Sequence, residues 1–433
     1  MIRRFLVSAC LIFLLTPALS SQTPSSPDDA ELKFVVYLSR HGVRSPTGKL
    51  SQYNAYSTAP WPAWDVPPGH LTAHGYRLME IFGTYDRMLL AKEDLLKPTG
   101  CDDAGNVTFY ADSDQRTRET GKALAAGLFP GCSVPVQSLA EGVNDPLFHP
   151  IPAHLGPLNS TLATAAIAGR IGNNLDNLTE AHRTQLTSFD KLLETCGAAA
   201  SPQQKRISLF EISPSLSPGS GDHLAELRSP LSTASTLTEN LLLEYTEGMD
   251  TANVGWGCVD GPRLRSLIDL HTAASDFAQR TPAIARMQAS NLLDHIDKAL
   301  EQIVTNRSIP GTPSKPTDRV LFLIGHDTNL SNIGGLLDMT WIIDGRRDDT
   351  PPGGALIFEL WKNHKYDGYF VRIYYTAQTL EQMRSTIILT PTNPPQRVPV
   401  FIPGCSKEDF SCTWPAFSET IRKTIDPQYV SPK

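Results

Sequence analysis

Three stretches far apart in the chain repeat one pattern: an apolar run rich in β-branched and aromatic residues, a short polar turn with basic side chains, then apolar residues at helical spacing. Residues 34–38 (FVVYL) precede "SRHGVRSPTG", residues 107–111 (VTFYA) precede "DSDQRTRETGKALAAGLFP", and residues 320–324 (VLFLI) precede "GHDTNLSNIGGLL". Strands apolar at nearly every position are buried on both faces, so these runs predict an α/β fold, a mainly parallel sheet flanked by helices. Residues 356–361 and 369–375, joined by a short polar loop, read as a hairpin that extends the sheet. Such sheets bind ligands beyond the carboxyl ends of their strands, where the polar turns gather.

If the three strand ends lie side by side, Arg40, His41, Arg44, Arg116, His326 and Asp327 converge, five bases with one acid. Crowding cations in this way is costly unless an anion fills the pocket, and arginine forks match the oxygens of a phosphate. Gly42 lets the backbone approach such a ligand closely, and helix N-termini after the second and third strands aim N–H groups at it. The arginines should also hold His41 neutral, which makes its ring nitrogen a competent nucleophile, while Asp327 is placed to protonate a leaving alkoxide. Arg118, in the same "RTR", is the alternative to Arg116 as an ordinary helix-start arginine.

At 433 residues the chain can hold more than one folding unit. Residues 1–20 read as a secretory signal peptide: Arg3 and Arg4, an apolar stretch too short to span a membrane, then Ala18 and Ser20 at the cleavage site. Residues 21–30 ("SQTPSSPDDA") form a flexible lead-in. The α/β part covers 31–156 and 275–433, and a mostly helical domain is inserted over 157–274, where Ala234, Leu237, Leu241 and Tyr245 fall at helical spacing. The breaks "TPPGG" (350–354) and "TPTNPPQ" (390–396) read as surface loops.

Export predicts a periplasmic or secreted protein with no membrane attachment after cleavage, and it makes the cysteines informative. Once Cys10 leaves with the signal, Cys101, Cys132, Cys196, Cys258, Cys405 and Cys412 remain, an even set that predicts three disulfides; spacing leaves the pairing open, although Cys405 and Cys412 are close enough to bracket one loop. No pair has CxxC spacing, and His70 and His74 lack a following glutamate and a third ligand, so neither metal nor cofactor is expected. His271 reads as a packed helix histidine. With 38 Lys plus Arg against 45 Asp plus Glu, the net charge of −7 excludes a general nucleic-acid binder. The expected partner is a small-molecule phosphomonoester, bound by a monomer.

"RHGVRSP" (40–46) resembles the RHGxRxP signature of the histidine acid phosphatases, and "GHDTN" (325–329) resembles their HD-containing motif. The similarity extends through "LTAHG" (71–75), "DQRT" (114–117), "GWG" (255–257), "RTP" (280–282) and "DTPPGG" (349–354), and is greatest to bacterial periplasmic phytases and glucose-1-phosphatases. The resemblance implies a phosphoglycerate-mutase-like α/β domain with an inserted helical domain and the active site between them. It implies His41 as nucleophile, Asp327 as proton donor, Arg40, Arg44, Arg116 and His326 as phosphate ligands, and Thr47 beside the substrate. Met249 is a candidate for the substrate-lining wall. It implies bridges Cys101–Cys132 and Cys405–Cys412, which leaves Cys196 with Cys258. The phytase-like pattern has lysine directly after the threonine, whereas this chain has Gly48 and then Lys49, which shifts the basic rim that a highly phosphorylated substrate needs. The expected function is an exported acid phosphatase, with phytate as leading substrate, a glucose-1-phosphatase or broad sugar-phosphatase as the nearest alternative, and an organophosphate-binding protein as the alternative of another class.

Overall fold

The computed structural model describes residues 30–197 and 205–432. The expected signal peptide, Cys10 and all of the lead-in except Ala30 lie outside the described residues.

The fold is built on the first apolar run. Strand β1 (Ala30–Arg40) has every residue from Phe34 onward buried, with neighbours on both sides. One is β6 (Val320–Gly325), paired in parallel from Val35↔Val320 to Arg40↔Gly325; the other is β9 (Ala355–Asn363), paired antiparallel. Beyond β6 come β2 (Val107–Ala111) and β3 (Val136–Gln137), both parallel. Beyond β9 come β10 (Gly368–Ala377), β11 (Gln396–Val400) and β12 (Cys412–Thr413), all antiparallel pairings. The result is a mixed sheet in which β1, β2, β3, β6 and β10 point one way and β9, β11 and β12 the other. The expected hairpin is β9–β10, and it extends the sheet from β1 as anticipated.

Alternation along β1 sorts the core. Phe34, Val36 and Leu38 join a cluster with α9 (Pro282–Thr305), α10 (Asp327–Leu336) and α12 (Trp414–Thr424). Val35 and Tyr37 face the other way, onto α2 (Ala73–Lys92) and α3 (Gln115–Leu128). On that side Phe322 of β6 is stacked between Tyr37 and Phe109, with ring centroids 4.5 and 4.8 Å away. Burying rings of this size stabilises the sheet by roughly 2 kcal/mol each.

A third apolar cluster belongs to α4 (Ser160–Arg170), α5 (Asp176–Ala181), α6 (Arg183–Thr195), α7 (Pro230–Thr246) and α8 (Gly261–Ala278). The periodic residues Ala234, Leu237, Leu241 and Tyr245 are all buried on α7. A ribbon of β4 (Ser215–Pro218) and β5 (Ala225–Arg228) closes this part, and the short α1 (Leu50–Asn54) and α11 (Leu380–Arg384) and the β7 (Ile342–Ile343)–β8 (Arg346–Arg347) ribbon complete the fold. Helix α9 joins two cores, since Ile284 and Met287 pack with the helical cluster while Ala285, Ala289 and Leu292 pack under the sheet.

The cysteines pair as Cys101–Cys132, Cys196–Cys258 and Cys405–Cys412. One expectation is corrected: "TPPGG" is not a surface loop, because residues 350–354 are buried. Its backbone carries the strand ends, with Gly353 N–H donating to His41 O at 2.9 Å and Arg40 N–H donating to Gly354 O at 2.8 Å. Among the described residues no helix is long and apolar enough to cross a membrane.

Candidate active site

The register of β1, β6 and β2 brings the three turns to one level, and the ladder continues one step beyond the strands: His41 N–H donates to Gly325 O at 3.0 Å and Asp112 N–H to Ile324 O at 2.9 Å. Glycine is required after His41, because a Cβ at Gly42 would lie 2.9 Å from the Met79 side chain and 3.1 Å from Gly75 O. Arg116 is the second residue of α3 and Asp327 the first of α10, so both stand at helix N-termini that face the strand ends.

Arg40 and His41 are fully buried and Arg44 nearly so. His41 Nδ1 lies 2.8 Å from Gly42 O; a carbonyl only accepts, so Nδ1 carries the proton and Nε2 keeps its lone pair. Burial first, then Arg116, Arg44 and Arg40, hold the imidazole well below its ordinary pKa. The ring stands edge-on to His326, with centroids 5.6 Å apart. Arg40 is fixed by donation to Thr350 O at 2.5 Å and to Glu239, and its Nη2 lies 3.6 Å from Asp327. Burial would raise the Asp327 carboxyl, but Arg40, His271 and Arg44 outweigh it and keep Asp327 ionised.

Arg116 donates to His326 Nδ1 at 3.3 Å and pairs with Asp114 at 2.5 Å, whereas Arg118 turns away to Glu141. Since His326 Nδ1 accepts, its Nε2–H donates to Asp112 at 2.7 Å. Among the described residues the Nε–H groups of Arg40, Arg44 and Arg116 are buried without a hydrogen-bond partner, which leaves donors for an anion.

Next to these groups opens a cavity of about 440 Å³, lined by Arg44, Thr47, Arg116, Glu239, His326 and Asp327 among others; the buried Arg40 and His41 are not on its lining. Thr47 is on this lining. Met249 is not: it does not line the cavity but packs half-buried against the helical core past the end of α7, its carbonyl held by Arg384 at 2.7 Å. His271 packs from α8 against Ser235 of α7, 3.1 Å away, and faces the cavity. Lys49 is exposed at the start of α1, outside the lining. His70 and His74 form no pair, for His70 precedes α2 and the His74 ring is bonded to Met383 O at 2.9 Å.

The balance of five bases and one acid is also corrected. Glu239, mid-way along α7 and buried, contacts Arg40 and sits 3.7 Å from Arg44; Asp114 pairs with Arg116, and Asp112 with His326. Burial raises Glu239, but Arg40, His271 and Arg44 bring it below the usual carboxylate range. The arginines are thus partly neutralised before any ligand arrives. The sequence signal for Glu239 is a lone acid inside the apolar helical run "TENLLL"; for Asp112 it is the aspartate directly after β2.

Among the described residues, Asp112, His149 and His326 form a group whose ligand atoms lie close enough for a metal, within 4.8 Å of one another. The donor set does not fit one. Metal on His326 Nε2 would need a proton on Nδ1, where Arg116 already donates, and the adjoining arginines repel a second cation.

Residues 31–376 match the family described as the histidine phosphatase superfamily (branch 2). The chain belongs to that family. This histidine phosphatase is 35% identical over 430 residues to the phytase AppA of Escherichia coli strain K12, covering 96% of this chain and 98% of that one. It is 30% identical over 401 residues to the glucose-1-phosphatase of Salmonella typhimurium, covering 90% and 91%. Among solved structures it superimposes on Hafnia alvei phytase in complex with tartrate with a TM-score of 0.86 at 33% identity, covering 94% of this chain and all of the other. The same phytase in complex with myo-inositol hexakis sulphate gives a TM-score of 0.84.

Proposed function

We propose that this histidine phosphatase is an exported acid phosphatase that hydrolyses phosphomonoesters through a phosphohistidine, with phytate as its leading substrate. The observation that carries the reading is the His41 ring: its Nδ1–H is spent on Gly42 O, so a free Nε2 lone pair remains among three arginines with unspent N–H donors. Phytases at 33 and 35% identity over nearly the whole chain support the substrate. Three disulfides, together with the basic and apolar N-terminal stretch, support an extracytoplasmic, periplasmic or secreted location.

In this reading Arg40, Arg44, Arg116 and His326 hold the phosphoryl group over His41. Nε2 attacks phosphorus, the ester P–O bond breaks, and the leaving oxygen takes a proton from Asp327. Water then attacks the phosphohistidine, returns its proton to Asp327 and releases inorganic phosphate. Asp327 is ionised in the free protein, so its proton arrives with the substrate: a phosphomonoester keeps one proton below its second pKa of about 6, and the bound anion offsets the cations that hold Asp327 ionised. His41→Ala should abolish turnover while the protein stays folded; residual hydrolysis within tenfold of wild type removes His41 from this role.

One observation favours a second reading, a sugar-phosphatase. Arg44 and Arg116 are the strongly basic side chains of the lining, while Thr47, Ser235, Thr236, Asn240, Gln279 and Gln288 supply a polar wall suited to hydroxyls. Rates on phytate and glucose-1-phosphate measured side by side separate the two: a kcat/KM for the sugar phosphate tenfold above that for phytate selects the second.

A further inference from the structure

His149 lies outside the family motifs and has no part in the chemistry above, yet it touches the site. Its Nδ1 is 2.9 Å from Asp222 and its Nε2 is 3.0 Å from Asp112. Both partners are carboxylates, which accept and never donate when ionised, so the ring carries both protons and a positive charge. The same Asp112 oxygen receives the Nε2–H of His326, and the two imidazole centroids are 5.1 Å apart.

We propose that His149, held as an imidazolium between Asp112 and Asp222, is a positioning residue that keeps His326 neutral in the resting site and so sets the upper pH limit for anion binding. The inference rests on the reading of His326 as a phosphate ligand. In the resting site His326 Nδ1 accepts from Arg116; to donate to a phosphate oxygen instead, it must take up a proton. A bare Asp112 carboxylate would favour that proton strongly, whereas one already paired with a cation favours it less. The state of His149 agrees: burial disfavours its charge, but Asp112 and then Asp222 push it up to about 10. Burial also leads in lowering His326, with Arg116 and His149 adding to it against Asp112.

The remaining charged neighbours do not take over this role. At the start of α3, Arg116 and Asp114 face His326, Asp114 at 3.8 Å from Nε2; Asp327 adjoins it on α10; and the His41 ring, flanked by Arg40 and Arg44, stands 5.6 Å away. On its own segment His149 has Asp145, which is engaged by Tyr110 at 2.7 Å, with His295 of α9 behind. His149 is the cation that shares the Asp112 oxygen.

The test is the pH dependence of kcat/KM, and of the inhibition constant of inorganic phosphate, for wild type, His149→Gln and His149→Lys. The glutamine variant keeps a donor to Asp112 and loses the charge; its descending limb should move up by about one pH unit, the order expected for a unit charge some 5 Å away in a partly solvated interior. His149→Lys should keep the wild-type limb. Asp222→Asn, at the half-exposed outer end of the bridge, should move the limb as the glutamine does, by less. A folded His149→Gln protein whose rate falls with the limb unmoved, or a lysine variant that moves as far as glutamine, overturns the proposal. Histidine-labelled NMR titration of His326 in wild type and His149→Gln needs no turnover, so it decides the inference even if the phosphatase reading fails: an unchanged His326 midpoint overturns it.

Discussion

Replacing Glu244 by glutamine tests how burial couples this fold to pH. Glu244 lies on α7, is almost fully buried and accepts one hydrogen bond, from Gly255 N–H at 3.0 Å. Burial pushes its carboxyl up to about 8, opposed by that single bond. An unfolded glutamate titrates near ~4.3, so between ~4.3 and 8 the native state holds a proton that the unfolded state has lost, and stability falls as pH rises through that window. Linkage gives a penalty of about 1 kcal/mol at pH 5 and about 3.5 kcal/mol at pH 7. For a chain of 433 residues, with an unfolding entropy of about 2 cal/mol/K per residue, the difference of about 2.5 kcal/mol corresponds to about 3 °C in Tm. Glutamine keeps the acceptor for Gly255 and carries no proton to lose. Thermal unfolding from pH 5 to pH 7 should therefore show Glu244→Gln gaining about 3 °C over wild type as the pH rises, with the curves closest at pH 5. Parallel curves would refute the reasoning, since they would mean that Glu244 ionises alike in both states. Glu247 and Asp297, each pushed up to about 7 by burial, act in the same direction.

Asp327→Asn should lose about 10²-fold or more on alkyl phosphates and under tenfold on p-nitrophenyl phosphate, whose leaving group hardly needs a proton; equal losses would take Asp327 out of the donor role. For wild type, kcat/KM should fall as pH rises from acid to neutral, because both His326 and the substrate's phosphoryl group give up a proton over that range, and a profile flat to pH 8 would contradict this. Glu239→Gln removes the carboxylate that competes with an anion for Arg40 and Arg44, so inorganic phosphate should inhibit about tenfold more tightly, by direct measurement of its inhibition constant. Phe322→Ala, which empties the stack between Tyr37 and Phe109, should cost about 3–5 kcal/mol in urea unfolding with no direct effect on the pocket.

The parts of the site legible in the sequence are those fixed by local pattern. A strand buried on both faces announces itself by unbroken apolar residues, and the residue after its carboxyl end has one place to be; this located Arg40, His41 and the HD pair, while the family resemblance chose Arg116 over Arg118. Glu239 was not legible because it reaches the arginines from another part of the chain, and nothing in a helical turn of α7 says which face meets a cation. The "TPPGG" backbone was misread for a related reason: proline and glycine mark a turn, but whether a turn is covered depends on what packs over it. Met249 failed on geometry, being past the end of the helix whose middle lines the cavity. The charge state of Asp327 came out opposite to what a proton donor suggests in isolation, because the cations that prepare the pocket for phosphate also hold its carboxylate ionised.

The placement of β1 between β6 and β9 has a consequence for how the chain matures. Val35 meets Val320 on one edge and Glu359 on the other, so the strand synthesised first cannot be clasped until most of the polypeptide exists. Until then its greasy segment has no native company, and closure across so long an intervening stretch is slow. A chain with this topology completes its pocket only once β6 and β9, in the last third of the sequence, have been made.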